Sequence, residues 1–153
     1  MRAVLQRVNS GAVVIDGETV GKIQKGFVLL LGIQEGDTEQ ECDYLLDKTV
    51  NLRVFEDENG KLNLSLQDIQ GELLVVSQFT LYADCRKGRR PSFVRAARPE
   101  QAIPLYERFL AGAKQLGIPT QCGVFGADMQ VSIENDGPVT IILDTDEIMP
   151  QKK

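Results

Sequence analysis

Histidine is absent from the 153 residues. That omission removes the Ser-His-Asp and Cys-His nucleophile arrangements, the HExxH metal motif and the side chain that titrates near neutral pH. Any chemistry in this chain runs without imidazole. Cysteine is sparse as well: Cys42, Cys85 and Cys122 are odd in number, far apart and never in a C-x-x-C pair. Neither a disulfide framework nor a zinc site is suggested, and the three are read as reduced thiols, with no metal and no cofactor expected. No apolar run approaches the ~18–20 residues of a membrane helix. The opening Met1-Arg2-Ala3-Val4-Leu5-Gln6-Arg7 alternates apolar with polar, unlike a signal peptide's continuous apolar core, so the expected compartment is the cytoplasm and no membrane partner is expected. There is room for one domain of ordinary globular composition and none for a second catalytic domain.

The formal net charge of −5 argues against indiscriminate binding of nucleic acid, and DNA is not an expected partner. The charge is unevenly placed, however. From Cys85 to Arg98 the chain carries Arg86, Lys87, Arg89, Arg90, Arg95 and Arg98 and no acidic residue. Such a segment is either a solvated basic loop or a local patch for a phosphate backbone.

Read for periodicity, the first third is strands. Ala3, Leu5 and Val8 set an apolar alternation, and Ala12-Val13-Val14-Ile15 precedes Asp16-Gly17, a tight-turn dipeptide, with a returning strand to about Ile23. The run from Gly26 to Ile33 suits a strand covered on both faces. Thr38 with Glu41 matches a capping box, and Cys42, Leu45, Leu46, Thr49 and Val50 recur at helical spacing. Residues 53–56 predict a short strand ended by Asn59-Gly60, and 62–70 is ambiguous. Glu72 to Phe79 predicts a strand that begins apolar and ends polar, putting Ser77 to Thr80 where a buried strand meets a surface. Ile103, Tyr106, Phe109, Leu110, Ala113 and Leu116 trace a helical face stopped by Gly117 and Pro119. Pro104 either lies in that helix's first turn or kinks it. Residues 129–134 and 139–143 predict two strands joined by Asn135-Asp136-Gly137-Pro138. The expected architecture is α+β: one domain over residues 1–146, with a curved, barrel-like, mainly antiparallel sheet flanked by two helices, and a frayed tail over 147–153.

Two segments carry candidate chemistry, Ser77-Gln78-Phe79-Thr80-Leu81 and Asn135-Asp136-Gly137-Pro138-Val139-Thr140. Each has a plain alternative. Hydroxyls at a strand end often bond to nearby backbone, and Asn-Asp-Gly-Pro is ordinary turn chemistry. Together with Arg2 to Val8, Gly71 to Leu81, Arg90-Pro91-Ser92-Phe93 and Phe125 to Ser132, these segments make the chain resemble the D-aminoacyl-tRNA deacylase family of the bacterial and eukaryotic type along nearly its whole length.

The resemblance implies a homodimeric esterase that frees D-amino acids, and glycine mischarged on tRNA(Ala), from the 3′ end of tRNA. Each site would join the Ser77–Thr80 strand end of one subunit to the Gly137-Pro138 turn of the other. It further implies a cis Gly137-Pro138 bond whose carbonyls crowd the substrate's α-carbon, braced by Arg7, so that an L side chain collides and a D side chain does not. Phe125 and Met129 would line a pocket for the terminal adenosine. Arg86, Lys87, Arg89 and Arg90 become candidate phosphate contacts. Backbone N–H groups near Phe79 and Thr80 would receive the oxyanion, with Ser77 and Gln78 shaping the site. Thr80 is either a positioning residue or a nucleophile; with no histidine to activate it, positioning is favoured, and the ribose 2′-hydroxyl is left to orient or activate water. The competing readings are a non-catalytic module that grips RNA ends and a general esterase acting through Thr80.

Overall fold

A computed structural model describes residues 1–150 of the chain. The elements run β1 (Arg2–Ile15), β2 (Glu18–Ile23), β3 (Gly26–Gly32), α1 (Glu39–Asn51), β4 (Phe55–Glu56), β5 (Leu62–Leu64), β6 (Glu72–Ser77), a 3-10 turn (Phe79–Tyr82), α2 (Pro99–Gln115), β7 (Thr120–Cys122), β8 (Gln130–Asp144) and α3 (Thr145–Ile148). The fold is mixed α+β, with a nearly closed, barrel-like sheet and a third, very short helix beside the two expected.

Strand β1 is the spine. One of its edges pairs antiparallel with β8 over nearly its full length, while the other pairs first with β3 and then, from Gly11 on, with β2. The sheet continues from β3 through β6 to β7 by parallel pairing. Asp16 and Gly17 both adopt positive φ, as the tight β1–β2 turn requires. Strand β2 then folds back across β6 and β7: a Cβ at Gly21 would stand 3.0 Å from Cys122 O and 3.2 Å from Leu74 Cδ1. That contact nearly closes the barrel.

The alternation of β-strand side chains divides the apolar residues between two cores. Ala3, Leu5, Phe27, Leu29, Leu31, Leu73 and Val75 point to the face covered by α1 and α2, meeting Leu45, Val50, Tyr106 and Phe109. Val8, Val13, Val28, Leu74 and Val76 point the other way, into the curl of the barrel with Ile23. Strand β3 is therefore covered on both faces, which is why its sequence is a continuous apolar run rather than an alternating one. Helix α1 begins with the complete capping box of Thr38 and Glu41, and its buried residues are Cys42, Leu45, Leu46, Thr49 and Val50.

Several elements depart from the sequence pattern. Strand β6 stops at Ser77, and Phe79 enters the 3-10 turn instead of prolonging the strand. Gly32 makes that turn possible, because a Cβ there would lie 3.0 Å from Leu81 Cβ and 3.2 Å from Gln78 O. Helix α2 starts at Pro99 and passes through Pro104. The carbonyl left without a donor, that of Glu100, belongs to an exposed residue of the first turn and can be served by water. The helix buries Ala102, Leu105, Tyr106, Phe109 and Ala113, whereas Leu116 is exposed and Ile103 only half-buried. Strand β7 is too short to leave a periodic signal.

The largest correction concerns residues 129–143. From Gln130 on they form one strand, not two strands and a hairpin turn: Asn135 pairs with Val8 and Thr140 with Gln6, so both halves run along β1 in the same direction. Between those two pairs β8 carries three residues more than β1, and Asp136 to Val139 rise from the ladder as a bulge. At the other end, α3 follows directly on β8 and Tyr44 Oη donates to Ile148 O at 2.9 Å, which holds the start of the 147–153 stretch; residues 151–153 of that stretch lie outside the described residues.

Candidate active site

Parallel pairing places Leu31 of β3 beside Ser77 of β6, so the two strands end together. The chain turns there, with Gln78 N–H donating to Leu31 O at 2.8 Å. Beside this strand end lies a pocket of about 170 Å³ lined by Ser77, Gln78, Phe79 and Thr80 on one side and by Phe125, Gly126, Ala127 and Met129 on the other. Leu31, Ile33, Ala97 and Ala102 complete the wall. The two segments that the sequence marks separately, 77–80 and 125–129, thus share one cavity.

No lining residue is ionisable. The polar groups available are the Ser77 and Thr80 hydroxyls, the Gln78 amide and backbone. Gln78 Nε2 donates to Thr80 Oγ1 at 3.1 Å, which engages an oxygen lone pair and leaves the hydroxyl proton free to be donated elsewhere. That arrangement suits Thr80 as a hydrogen-bond donor and weakens it as a nucleophile, since no base stands beside it. In the 3-10 turn the first N–H to find a carbonyl is that of Leu81, on Gln78 O at 3.2 Å. The N–H groups of Phe79 and Thr80 have no carbonyl partner among the described residues.

Phe125 is fixed from behind. Its ring meets that of Tyr106 edge-on at 6.0 Å between centroids, and Tyr106 Oη donates to Val75 O at 3.1 Å. Met129 is seated against Gly123, where any Cβ would overlap the thioether sulfur. At the mouth, Phe79 is 56% exposed and packs edge-on against Phe93 at 5.1 Å.

Gly137, Pro138 and Arg7 lie elsewhere; none lines the pocket of its own chain. The Gly137-Pro138 peptide is cis, and both residues are exposed on the bulge of β8. Arg7 is 5% exposed beneath it. Its Nε donates to Asp136 O at 3.0 Å and its Nη1 to Val54 O at 2.9 Å, while Glu56 and Asp136 carboxylates stand 3.7 and 3.8 Å away. The guanidinium's planar fork therefore ties the bulge to the chain segment leading into β4. A Cβ on Gly137, whose φ is +127°, would stand 2.9 Å from Arg7 Nη2.

The basic residues 86, 87, 89 and 90 are all exposed on a loop closed by an antiparallel bridge between Asp84 and Ser92. Arg86 differs from the others. It binds Asp84 bidentately at 2.9 and 2.8 Å, and this partnership holds the Asp84 carboxyl down at about 2. Asp84 is the acidic residue just before the segment, and of these four loop cations Lys87, Arg89 and Arg90 have no carboxylate partner among the described residues. Of the thiols, Cys42 is buried and pushed up to about 12 by desolvation, Cys122 is half-buried and Cys85 is exposed; all three are free. Among the described residues no group of three metal-ligating side chains occurs, and no helix is long and apolar enough to cross a membrane.

The family model for D-Tyr-tRNA(Tyr) deacylase matches residues 4–144. The chain belongs to that family. Among curated relatives it is 59% identical over 145 residues to the D-aminoacyl-tRNA deacylase of Geotalea uraniireducens, covering 95% of this chain and 94% of that protein. It is 57% identical over 147 residues to that of Thermus aquaticus, covering 96% and 97%. Among solved structures, one described as c-Myc DNA Unwinding Element Binding Protein superposes with a TM-score of 0.89 at 46% identity, covering 94% of this chain and 98% of that one. A second, titled as a probable eukaryotic D-amino acid tRNA deacylase, shares the fold at a TM-score of 0.77 and 17% identity.

The residues that sequence reasoning missed are the apolar wall: Leu31, Ile33, Ala97 and Ala102. Leu31 and Ile33 belong to a run that reads only as core, and the alanines carry no signal of their own. Gln6, in contact with Asn135 and Thr140, lies inside the Arg2–Val8 segment, where nothing in the sequence singles it out from its neighbours.

Proposed function

We propose that this chain hydrolyses the ester of D-aminoacyl-tRNA in the pocket under the Ser77–Thr80 strand end, as a homodimer working beside cytoplasmic translation. The observation that carries the reading is the shared pocket: the hydroxyl-rich strand end and the Phe125–Met129 segment face each other with no ionisable group between them. An aromatic face and a thioether suit the terminal adenosine. The unpaired N–H groups of Phe79 and Thr80 suit a developing oxyanion, with Ser77 and Gln78 shaping the surroundings. An aminoacyl ester is already activated, so positioning and oxyanion stabilisation suffice, with the substrate's own 2′-hydroxyl orienting or activating the water. Thr80 donates a hydrogen bond and forms no covalent intermediate.

Selection of handedness falls to Gly137-Pro138, Arg7 holding the turn in place. Because these residues do not reach the pocket of their own chain, the turn is supplied by a second copy docked along β8. That strand supports the pairing: it is an edge strand with Ile133 and Ile142 exposed at 37% and 65%. An L side chain meets the turn's carbonyls, a D side chain points away, and glycine passes, which makes glycyl-tRNA(Ala) a second substrate. Lys87, Arg89 and Arg90 hold phosphates of the acceptor stem, and Arg86, already paired with Asp84, contributes less.

The test is deacylation of paired D- and L-tyrosyl-tRNA together with subunit mixing. Alone, a variant damaged in the pocket should be slow on both enantiomers and one damaged at Gly137 should be unselective; mixed, they should regain fast, D-selective hydrolysis, since one hybrid site is then intact. Failure to recover, with hybrid dimers demonstrated, would sink the shared site. A terminal 2′-deoxyadenosine substrate hydrolysed at full rate would remove the RNA hydroxyl from the chemistry. A binding module without catalysis predicts no free D-tyrosine at all, and a general esterase predicts turnover of simple activated esters and a trappable acyl-Thr80.

A further inference from the structure

Asn135 opens the Asn135-to-Thr140 segment, just before the Gly137-Pro138 turn. Its side chain closes the neck of the bulge. Oδ1 accepts the Val139 N–H at 2.8 Å, spanning Asp136, Gly137 and Pro138. Nδ2 donates to Gln6 Oε1 and lies 3.1 Å from Thr140 Oγ1, and Thr140 Oγ1 in turn donates to Gln6 Oε1.

The orientation of both amides follows from the backbone outward. A backbone N–H only donates, so the atom facing Val139 is the Asn135 oxygen. The Asn135 nitrogen must then face Gln6, and Gln6 must answer with its own oxygen. Gln6 sits directly across the ladder from Thr140, and its neighbour Arg7 holds the opposite side of the bulge through Asp136 O. A four-residue excursion held at one point swings about that point; held at two, it has a direction.

We propose that Asn135, seated on Gln6, is a specificity-determining positioning residue that aims the Gly137-Pro138 turn and thereby sets the ratio of D to L hydrolysis. The proposal rests on the reading that this turn selects handedness. Arg7 supplies one fixed point and the Asn135–Gln6–Thr140 relay the other. Asn135→Ala removes the acceptor for Val139 N–H and the donor to Gln6 together. In Asn135→Asp the acceptor survives, and Gln6 can turn its amide over so that Nε2 donates to the new carboxylate.

The experiment measures kcat/KM on D- and L-tyrosyl-tRNA, above the enzyme-free rate, for wild type, Asn135→Ala, Asn135→Asp, Gln6→Leu and Gly137→Ala, with thermal melts alongside. One hydrogen bond is worth about 1 kcal/mol net, so Asn135→Ala and Gln6→Leu should each lower the D/L ratio by roughly five- to tenfold, and Asn135→Asp should restore most of it. The two variants approach the relay from opposite strands, so a failure of one to fold leaves the other to decide. If Gly137→Ala lowers the ratio and the relay variants do not, the proposal is overturned and the role of the turn stands. If Gly137→Ala leaves the ratio intact, the role of the turn itself is lost. Equal loss on both substrates, or no rescue by Asn135→Asp, overturns the relay as well.

Discussion

The pocket and the bulge are built on opposite principles. The pocket is concave, roofed by Phe125 and Met129, and free of ionisable groups. The bulge is convex and exposed at its tip, and it stands on a buried guanidinium with carboxylates on either side. Where a reaction needs only shape and N–H donors, charge is left out; where a piece of backbone must hold still in solvent, charge is spent beneath it. On the proposed function, rate and selectivity would reside in different parts of the fold and should be separable by mutation.

The sharpest separation is expected at the pocket roof. Phe125→Ala removes a stacking face worth about 1–3 kcal/mol per base, so KM for D-aminoacyl-tRNA should rise roughly ten- to hundredfold with kcat and the D/L ratio far less affected. Steady-state kinetics on both enantiomers checks this, and a change confined to the ratio would merge the two regions. Gly137→Ala should do the reverse. Its Cβ presses on Arg7 Nη2 and Val139 Cγ2, each at 2.9 Å, at a φ of +127°. Strain of about 1–3 kcal/mol at such a position should lower the D/L ratio by about tenfold or more while KM holds.

Stability gives a third contrast. Arg7→Ala strips donors from Asp136 O and Val54 O, a loss of about 2 kcal/mol, or about 4–8 °C in Tm for a chain of this size. Thr80→Ala, at an exposed position, should shift the melt by under ~0.5 kcal/mol. The smallest effect lies in the basic loop. Each phosphate contact contributes roughly 0.7–0.9 to the slope of log affinity against log salt. Arg89→Ala should therefore flatten that slope by about this much, and Arg86→Ala by less, because Asp84 already takes up its charge. Equal flattening would mean that the Asp84 pair opens on RNA.

Much of this is legible in the sequence. The capping box at Thr38, the two-sided burial of 26–32 and the turn at Asp16-Gly17 are local chemistry with local consequences, and each formed as its residues dictate. The end of the Glu72 strand turns polar where it meets the surface, and the pocket lies beside it. The bulge was misread for a physical reason: Asn-Asp-Gly-Pro interrupts strand periodicity whether the chain reverses or merely steps out of the ladder. Only the partner strand tells the two apart. Here β1 pairs with both halves of β8. The apolar wall was illegible for another reason, since Ala97 and Ala102 acquire meaning only by facing a cavity. Arg86 looked like its neighbours because the residue that neutralises it stands one position outside the charge run.

A cavity walled by carbon, hydroxyls and amide has a pharmacological corollary. Reagents that find enzymes through an activated thiol, a catalytic imidazole or a bound metal have nothing to seize among the residues that line it. On the proposed function, blocking it calls for a reversible mimic of the RNA terminus, a molecule that competes by fitting rather than by reacting.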